Sequence, residues 1–253
     1  MKMKAIIIDY DLFTASTSDF PNIVFIHGAG GDKRQWERQK DYFQSLGFGM
    51  VIPSLPGHGE SQLPDSVSIK TYSDVIFRLL DFIKLSQVTL IGHSMGGAIA
   101  LQLLLEYSPG MIDKLVLIGT GAKLNVAPLI FELIENDFKE ALRLMGEFSY
   151  GKNTPLKIKR ENEKILRHNG AQILTQDFEA CRQFDMRIEL GEIKIPTLII
   201  CGQDDMMTPI KFSTYLHEHL LNSQLELIPN AGHFVFQEAS EKVNKYIHDF
   251  ILI

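Results

Sequence analysis

The sequence predicts an α/β protein: a mostly parallel central sheet of about eight strands, helices on both faces, and a helical lid inserted after the sixth strand. Three observations lead there. Short, continuous apolar runs recur along the chain and alternate with segments of helical apolar spacing, the pattern of strands buried on both faces by crossover helices. One run, Val88-Thr89-Leu90-Ile91, passes directly into Gly92-His93-Ser94-Met95-Gly96-Gly97 and then into a helix-like stretch. Finally, the rhythm breaks between residues 123 and 189, where no strand is evident and charge is dense.

Residues 4 to 17 have the short β-rich look of an opening hairpin. Asn22-Ile23-Val24-Phe25-Ile26 is a compact apolar strand that runs into His27-Gly28-Ala29-Gly30-Gly31, and a helix follows over about 34 to 45. Met50-Val51-Ile52-Pro53 is the next strand, leading to the glycine-punctuated loop Pro56-Gly57-His58-Gly59-Glu60-Ser61. Val75, Ile76, Leu79, Leu80 and Ile83 form a helical stripe before the strand at 88–91, and Ala98 to Leu105 read as helix after it. Lys114-Leu115-Val116-Leu117-Ile118 is a further buried strand. In the interval that follows, Ile130, Leu133, Ile134, Phe138, Leu142, Met145 and Phe148 recur at helical spacing. A crossover seldom needs more than about 30 residues, so 123–189 is expected to be an inserted lid rather than a separate domain. The core then comprises 1–122 and 190–253, completed by strands at 196–200 and 224–228 and a closing helix at 237–252.

The chain has 253 residues, enough for a large core, with 45% hydrophobic and 22% charged residues, as in ordinary soluble domains. A formal net charge of −6 argues against a nucleic-acid surface. No apolar run approaches the roughly 18 residues of a spanning helix, and the basic amino terminus lacks the apolar stretch of a signal peptide. Two cysteines, Cys181 and Cys201, make no disulfide framework. A cytoplasmic protein with no membrane partner is expected. Oligomeric state is unspecified, monomer or dimer.

A serine at a strand-to-helix turn, with glycine two residues to either side, is a nucleophile elbow. The turn strains the serine backbone, and the residues two positions away on either side must lack side chains. A serine hydroxyl attacks only when a base takes its proton, and the base needs a carboxylate to orient it. Downstream of Ser94 the candidate acid lies in Gly202-Gln203-Asp204-Asp205, at the end of one strand. The candidate histidine is His233 in Asn230-Ala231-Gly232-His233, just after another. Strand ends converge at the carboxyl edge of a parallel sheet, where the three can meet. Small residues after the 22–26 strand let backbone N–H groups approach a developing oxyanion, with the Ala29 and Met95 amides as donors.

These motifs, in this order and over the whole chain, resemble the α/β-hydrolase fold superfamily, specifically its lid-bearing serine esterases and hydrolases. The motifs that carry the resemblance are His27-Gly28, Pro56-Gly57-His58-Gly59-Glu60-Ser61, Gly92-His93-Ser94-Met95-Gly96-Gly97, Gly202-Gln203-Asp204-Asp205 and Gly232-His233. The resemblance implies a Ser94–Asp205–His233 triad. The family register places the acid three residues after the strand-ending glycine, which selects Asp205, with Asp204 the rival. It implies a small-molecule ester substrate and no metal or organic cofactor. Carbon–carbon bond, enol-lactone and thioester hydrolysis, perhydrolysis and slow-turnover ligand reception share the motifs. A serine elbow argues against epoxide hydrolases and haloalkane dehalogenases, whose elbow residue is aspartate.

Other residues weigh less. Trp36, Phe131, Phe138 and Met145 are expected to border an acyl pocket, against the plainer reading that they pack the lid. His27, His58 and His93 are expected to be structural. Lys157, Lys159, Arg160, Lys164 and Arg167 are read as a solvated helix face. His217 and His219, two apart on a helix, point to different faces and suit no metal.

Overall fold

The computed structural model describes residues 6–17, 20–64, 66–107 and 110–253. Seven strands form one sheet: β1 (Tyr10–Phe13), β2 (Asn22–Ile26), β3 (Gly49–Pro53), β4 (Val88–His93), β5 (Ile112–Ile118), β6 (Thr197–Gly202) and β7 (Ser223–Ile228). Their order is β1-β3-β2-β4-β5-β6-β7, all parallel except β1, which runs antiparallel to β3. From β2 the chain first moves outward to β3, then crosses back to β4 and continues the other way. The switch point therefore lies between β2 and β4, and a crevice opens there at the carboxyl edge.

Alternation along each strand deals side chains to two cores. Val24, Ile26, Val51, Leu90, Leu115, Leu117 and Ile199 face one side, beneath α2 (Ile69–Ile83) and α3 (Met95–Tyr107). Ile23, Phe25, Met50, Ile52, Ile91, Val116, Ile118 and Ile200 face the other, against α1 (Glu37–Ser45) and the carboxyl-terminal helix. Both faces are apolar and buried, which explains why these strands read as continuous apolar runs.

The predicted opening hairpin is not present among the described residues. That stretch forms β1 alone, pairing with β3 at the sheet edge, while residues 1–5 lie outside the described residues. Asp9, just before β1, explains why the chain does not fold back there. Its carbonyl accepts from Ser54 N–H, its N–H donates to the Ser61 hydroxyl, and its carboxylate pairs with Lys33 at 2.7 Å. Among the described residues the sheet has seven strands, close to the expected number of about eight, and the helical insertion follows the fifth strand, not the sixth.

The insertion contains α4 (Pro128–Asn136), α5 (Phe138–Ser149) and α6 (Leu156–Gln183). Asp137 separates the first two, its side chain accepting from Glu140 N–H as the cap of α5. α6 is two helical segments joined at Gly170, where φ is 84°. Ile134, Leu142, Met145, Leu174 and Phe178 give the insertion a small core of its own. After β6 comes α7 (Ile210–His219), and after β7 the chain closes with α8 (Val235–Glu238) and α9 (Ser240–Leu252), broken at Ala239. Among the described residues no helix is long and apolar enough to cross a membrane.

Candidate active site

β4 ends at His93 and α3 begins at Met95, so Ser94 alone makes the turn, with φ at 52°. That left-handed conformation costs a residue with a β-carbon on the order of 1 kcal/mol. Neighbouring strands hold it in place. Ser94 N–H donates to the Ile118 carbonyl at 2.9 Å, and the Ser94 carbonyl accepts from the Thr120 hydroxyl at 2.7 Å and from Gly97 N–H at 2.9 Å. A β-carbon at Gly92 would lie 2.3 Å from the Gly96 carbonyl oxygen, and one at Gly96 would lie 2.2 Å from that of Ile26. The flanking glycines are required by this close backbone approach, not by helix or strand preference.

Asp205 and His233 meet beyond the ends of β6 and β7. Asp205 Oδ2 lies 2.9 Å from His233 Nδ1, with both residues buried. The carboxylate is held from its other side. Oδ1 accepts from Met207 N–H at 2.9 Å and Thr208 N–H at 2.8 Å, and Oδ2 from the Thr208 hydroxyl at 2.8 Å. Burial opposes ionisation of Asp205, but the neighbouring His233 and these donors outweigh it and hold its pKa below the ordinary carboxylate range. Asp204 is exposed, and its N–H donates to the Ala231 carbonyl. With Asp205 accepting at Nδ1, the imidazole carries its proton there and Nε2 is left as the basic atom.

Residues that the motifs do not point to fix the histidine loop. Glu238 accepts from Gly232 N–H at 3.0 Å and from Gly151 N–H at 2.9 Å, and His233 N–H donates to the Ser149 carbonyl at 2.8 Å. The His233 loop is therefore tied to the end of α5. The turn at 205–208 was legible in part, because an aspartate closing on the N–H two residues on, as Asp205 does on Met207, is a common turn signature. Glu238 carries no such signal, since only the fold brings it to position 232.

His27, His58 and His93 all lie within the fold. The Leu55 N–H donates to His27 Nε2 at 2.9 Å, so His27 Nδ1–H donates to the Gly28 carbonyl, also at 2.9 Å. Burial, with His58 nearby, pushes the His27 pKa down to about 4. Burial and the adjacent His233 hold His93 well below its ordinary value, and its ring N–H donates to the His233 carbonyl at 3.0 Å. His58 is shifted the other way. Burial disfavours its charge, but Asp177 at 2.8 Å and backbone carbonyls outweigh that and raise its pKa.

Stability follows from these directions. The unfolded chain takes up protons on His27 and His93 below about pH 6.5, whereas the native state refuses them, so stability is full above that pH and falls as pH drops toward 4. For His27 alone the loss is on the order of 3 kcal/mol. His58 acts on the alkaline side, its contribution complete below pH 6.5 and lost as pH rises through its raised pKa. Urea unfolding is expected to show a maximum near pH 6.5, and a midpoint unchanged between pH 7 and 5 would contradict this reading.

Ser94, His233, Gly28 and Ala29 line a cavity of about 520 Å³. A β-carbon at Gly28 would come within 3.1 Å of Ser94 Cβ, which shows how closely the 27–31 loop lies beside the serine. Among the described residues, neither the Ala29 nor the Met95 amide has a protein acceptor. Leu142, Met145, Leu166, Phe178, Met207 and Phe234 supply apolar wall, four of them from the insertion.

Of the expected pocket residues, only Met145 lines this cavity. Trp36 is fully buried in the sheet's other core, its ring 4.3 Å from that of Phe236 and 5.0 Å from that of Phe25. It follows β2 closely in sequence, but the 3₁₀ turn at Lys33–Trp36 carries it beneath the sheet. Phe131 and Phe138 flank the insertion's own core, so their helical spacing reports packing of the insertion. Lys159 departs from the expected solvated face. It lines the cavity, its amine 5.4 Å above the Tyr150 ring, whereas Lys157, Arg160, Lys164 and Arg167 are exposed.

The sequence pattern of the Alpha/beta hydrolase family matches residues 23–246. The AB hydrolase superfamily protein YisY of Bacillus subtilis is 28% identical over 243 residues, covering 90% of each chain. Longer curated relatives also match, and the chain spans 55% of one of them. Among solved structures, an esterase from Exiguobacterium antarcticum superposes with TM-score 0.92 at 24% identity, over 98% of this chain and 96% of that one. The enol-lactonase from Burkholderia xenovorans superposes with TM-score 0.90 at 20% identity, over 99% and 98%. At such identities these two likenesses show the fold. The family match over most of the chain shows more: this protein belongs to the alpha/beta hydrolase family.

Proposed function

We propose that this member of the alpha/beta hydrolase family is a serine hydrolase that cleaves small or medium carboxylic esters through an acyl-enzyme. The observation that carries the reading is the buried Asp205–His233 pair at 2.9 Å, opening on the same cavity as an elbow serine held at φ 52°. His233 Nε2 takes the Ser94 proton as the hydroxyl attacks the ester carbonyl, and Asp205 holds the tautomer and stabilises the imidazolium. The unpaired Ala29 and Met95 amides, the latter at the start of α3, receive the oxyanion, each worth roughly 3 kcal/mol in the transition state. His233 then protonates the leaving alcohol, and water deacylates the serine by the same base. The 123–189 insertion acts as the lid, whose apolar residues size the acyl group.

A series of p-nitrophenyl esters of increasing acyl length tests this. Sustained turnover is expected, with an optimum at short to medium chains set by a cavity of about 520 Å³. Labelling of Ser94 by a fluorophosphonate without ester turnover would move the substrate to a lactone, thioester or carbon–carbon bond on the same triad. Failure of both turnover and labelling would overturn the reading.

A further inference from the structure

The loop beside the candidate nucleophile is gripped by the insertion at three backbone groups. Gly30 follows Ala29, and its N–H donates to Asp177 Oδ2 at 2.7 Å. The Gly30 carbonyl accepts from Asn169 Nδ2 at 2.9 Å, and the Gly31 carbonyl accepts from the same nitrogen at 2.8 Å. Both partners belong to α6, one on each side of the break at Gly170. Gly30 has φ of 64°, and a β-carbon there would lie 2.6 Å from Leu166 Cδ2 and 2.8 Å from Leu174 Cδ1, also on α6. The helix therefore closes on this turn sterically as well as by hydrogen bonds.

Asp177 is fully buried, which is costly for a carboxylate unless donors surround it. It has them: besides Gly30 N–H, Oδ2 accepts from His58 Nε2 at 2.8 Å, and Oδ1 from the Tyr72 hydroxyl at 2.6 Å. The other His58 nitrogen reaches the Pro56 carbonyl at 3.1 Å, and Asn169 Oδ1 accepts from Gly59 N–H at 2.9 Å. One helix thus joins the 27–31 loop to the 56–61 loop and to α2, and the charge-assisted bonds to the Asp177 carboxylate resist displacement more than neutral ones do.

The consequence bears on one peptide. The Ala29 amide belongs to the Gly28–Ala29 peptide, whose carbonyl is held by His27 Nδ1–H. The next peptide is fixed at its N–H by Asp177, and the one after at its carbonyl by Asn169. With its neighbours pinned, the Ala29 N–H has a single orientation. We propose that Asp177 and Asn169 are positioning residues that aim the Ala29 amide at the oxyanion, so that the insertion sets catalytic power as well as pocket shape. This rests on the hydrolase reading above.

The test uses Asp177→Asn, which keeps the shape and removes the charge, and Asn169→Ala at a half-buried position. In variants shown by circular dichroism to be folded, kcat for p-nitrophenyl butyrate is expected to fall roughly ten- to a hundredfold with KM unchanged within about twofold, because the oxyanion exists only beyond the ground state. The inhibition constant of an alkyl trifluoromethyl ketone, whose hemiketal with Ser94 places an oxyanion in the same position, is expected to rise by the same factor as kcat falls. A purely structural clamp would lower the melting temperature and leave both constants alone, and that result in both variants would overturn the proposal. So would a rise confined to KM. Wild-type protein that neither turns over nor binds the ketone would overturn the hydrolase reading itself, a failure visible before any substitution is made.

Discussion

Ser94→Ala is expected to lower ester turnover by roughly four to six orders of magnitude, to the residual rate that binding and oxyanion stabilisation alone provide. Alanine removes the proposed attacking oxygen while His233, Asp205 and the free amides stay in place. The substitution also suits the backbone on fold grounds. The turn at φ 52° is held by the Ser94 N–H and carbonyl, which bond Ile118, Gly97 and Thr120, and alanine keeps all three bonds. Melting temperature is therefore expected to stay within a few degrees of wild type. Steady-state hydrolysis of p-nitrophenyl butyrate by cleanly purified variant protein decides the point, and retained turnover would remove Ser94 from its proposed role.

The second large effect separates two adjacent carboxylates. Asp205→Asn is expected to cost about 10⁴ in kcat, since an amide facing His233 Nδ1 favours the wrong tautomer. Asp204→Asn is expected to change kcat by less than about threefold, as for an exposed side chain away from the reacting atoms. The contrast comes from register within one loop. Asp205 is buried against His233 and Thr208, while the next residue back turns to solvent. Parallel kcat measurements on the two variants check it, and the reverse ranking would transfer the orienting role to Asp204.

Much of the fold was legible because its determinants are local. Runs such as Ile23-Val24-Phe25-Ile26 are apolar at successive positions, and a strand buried on both faces has that composition wherever it sits in the sheet. The elbow was legible for a related reason, as glycine two residues to either side of Ser94 is forced by backbone atoms within a few residues or on the adjoining strand. The hairpin expected over residues 4–17 rests on β-propensity alone. Pairing with β3 and the bonds of Asp9 to Ser54, Ser61 and Lys33 decided that region, and all are long-range.

The pocket was the least legible part. Trp36 and Phe131 are both large and apolar, yet one fills the core under the sheet and the other packs the insertion. Hydrophobic spacing tells which face of a helix is buried and not what buries it. Leu142, Leu166 and Phe178 carry the same signal as their neighbours, and only the way α5 and α6 settle over the carboxyl edge makes them cavity wall. By itself the sequence determined the fold class and the family. It also determined the order in which serine, acid and histidine arrive at the sheet edge, because each depends on short-range backbone chemistry that a few residues encode. The tertiary structure alone decided that Glu238 holds the histidine loop and that Asp177 and Asn169 grip Gly30. These are hydrogen bonds between groups brought together by packing, and no spacing along the chain specifies them before the insertion has docked.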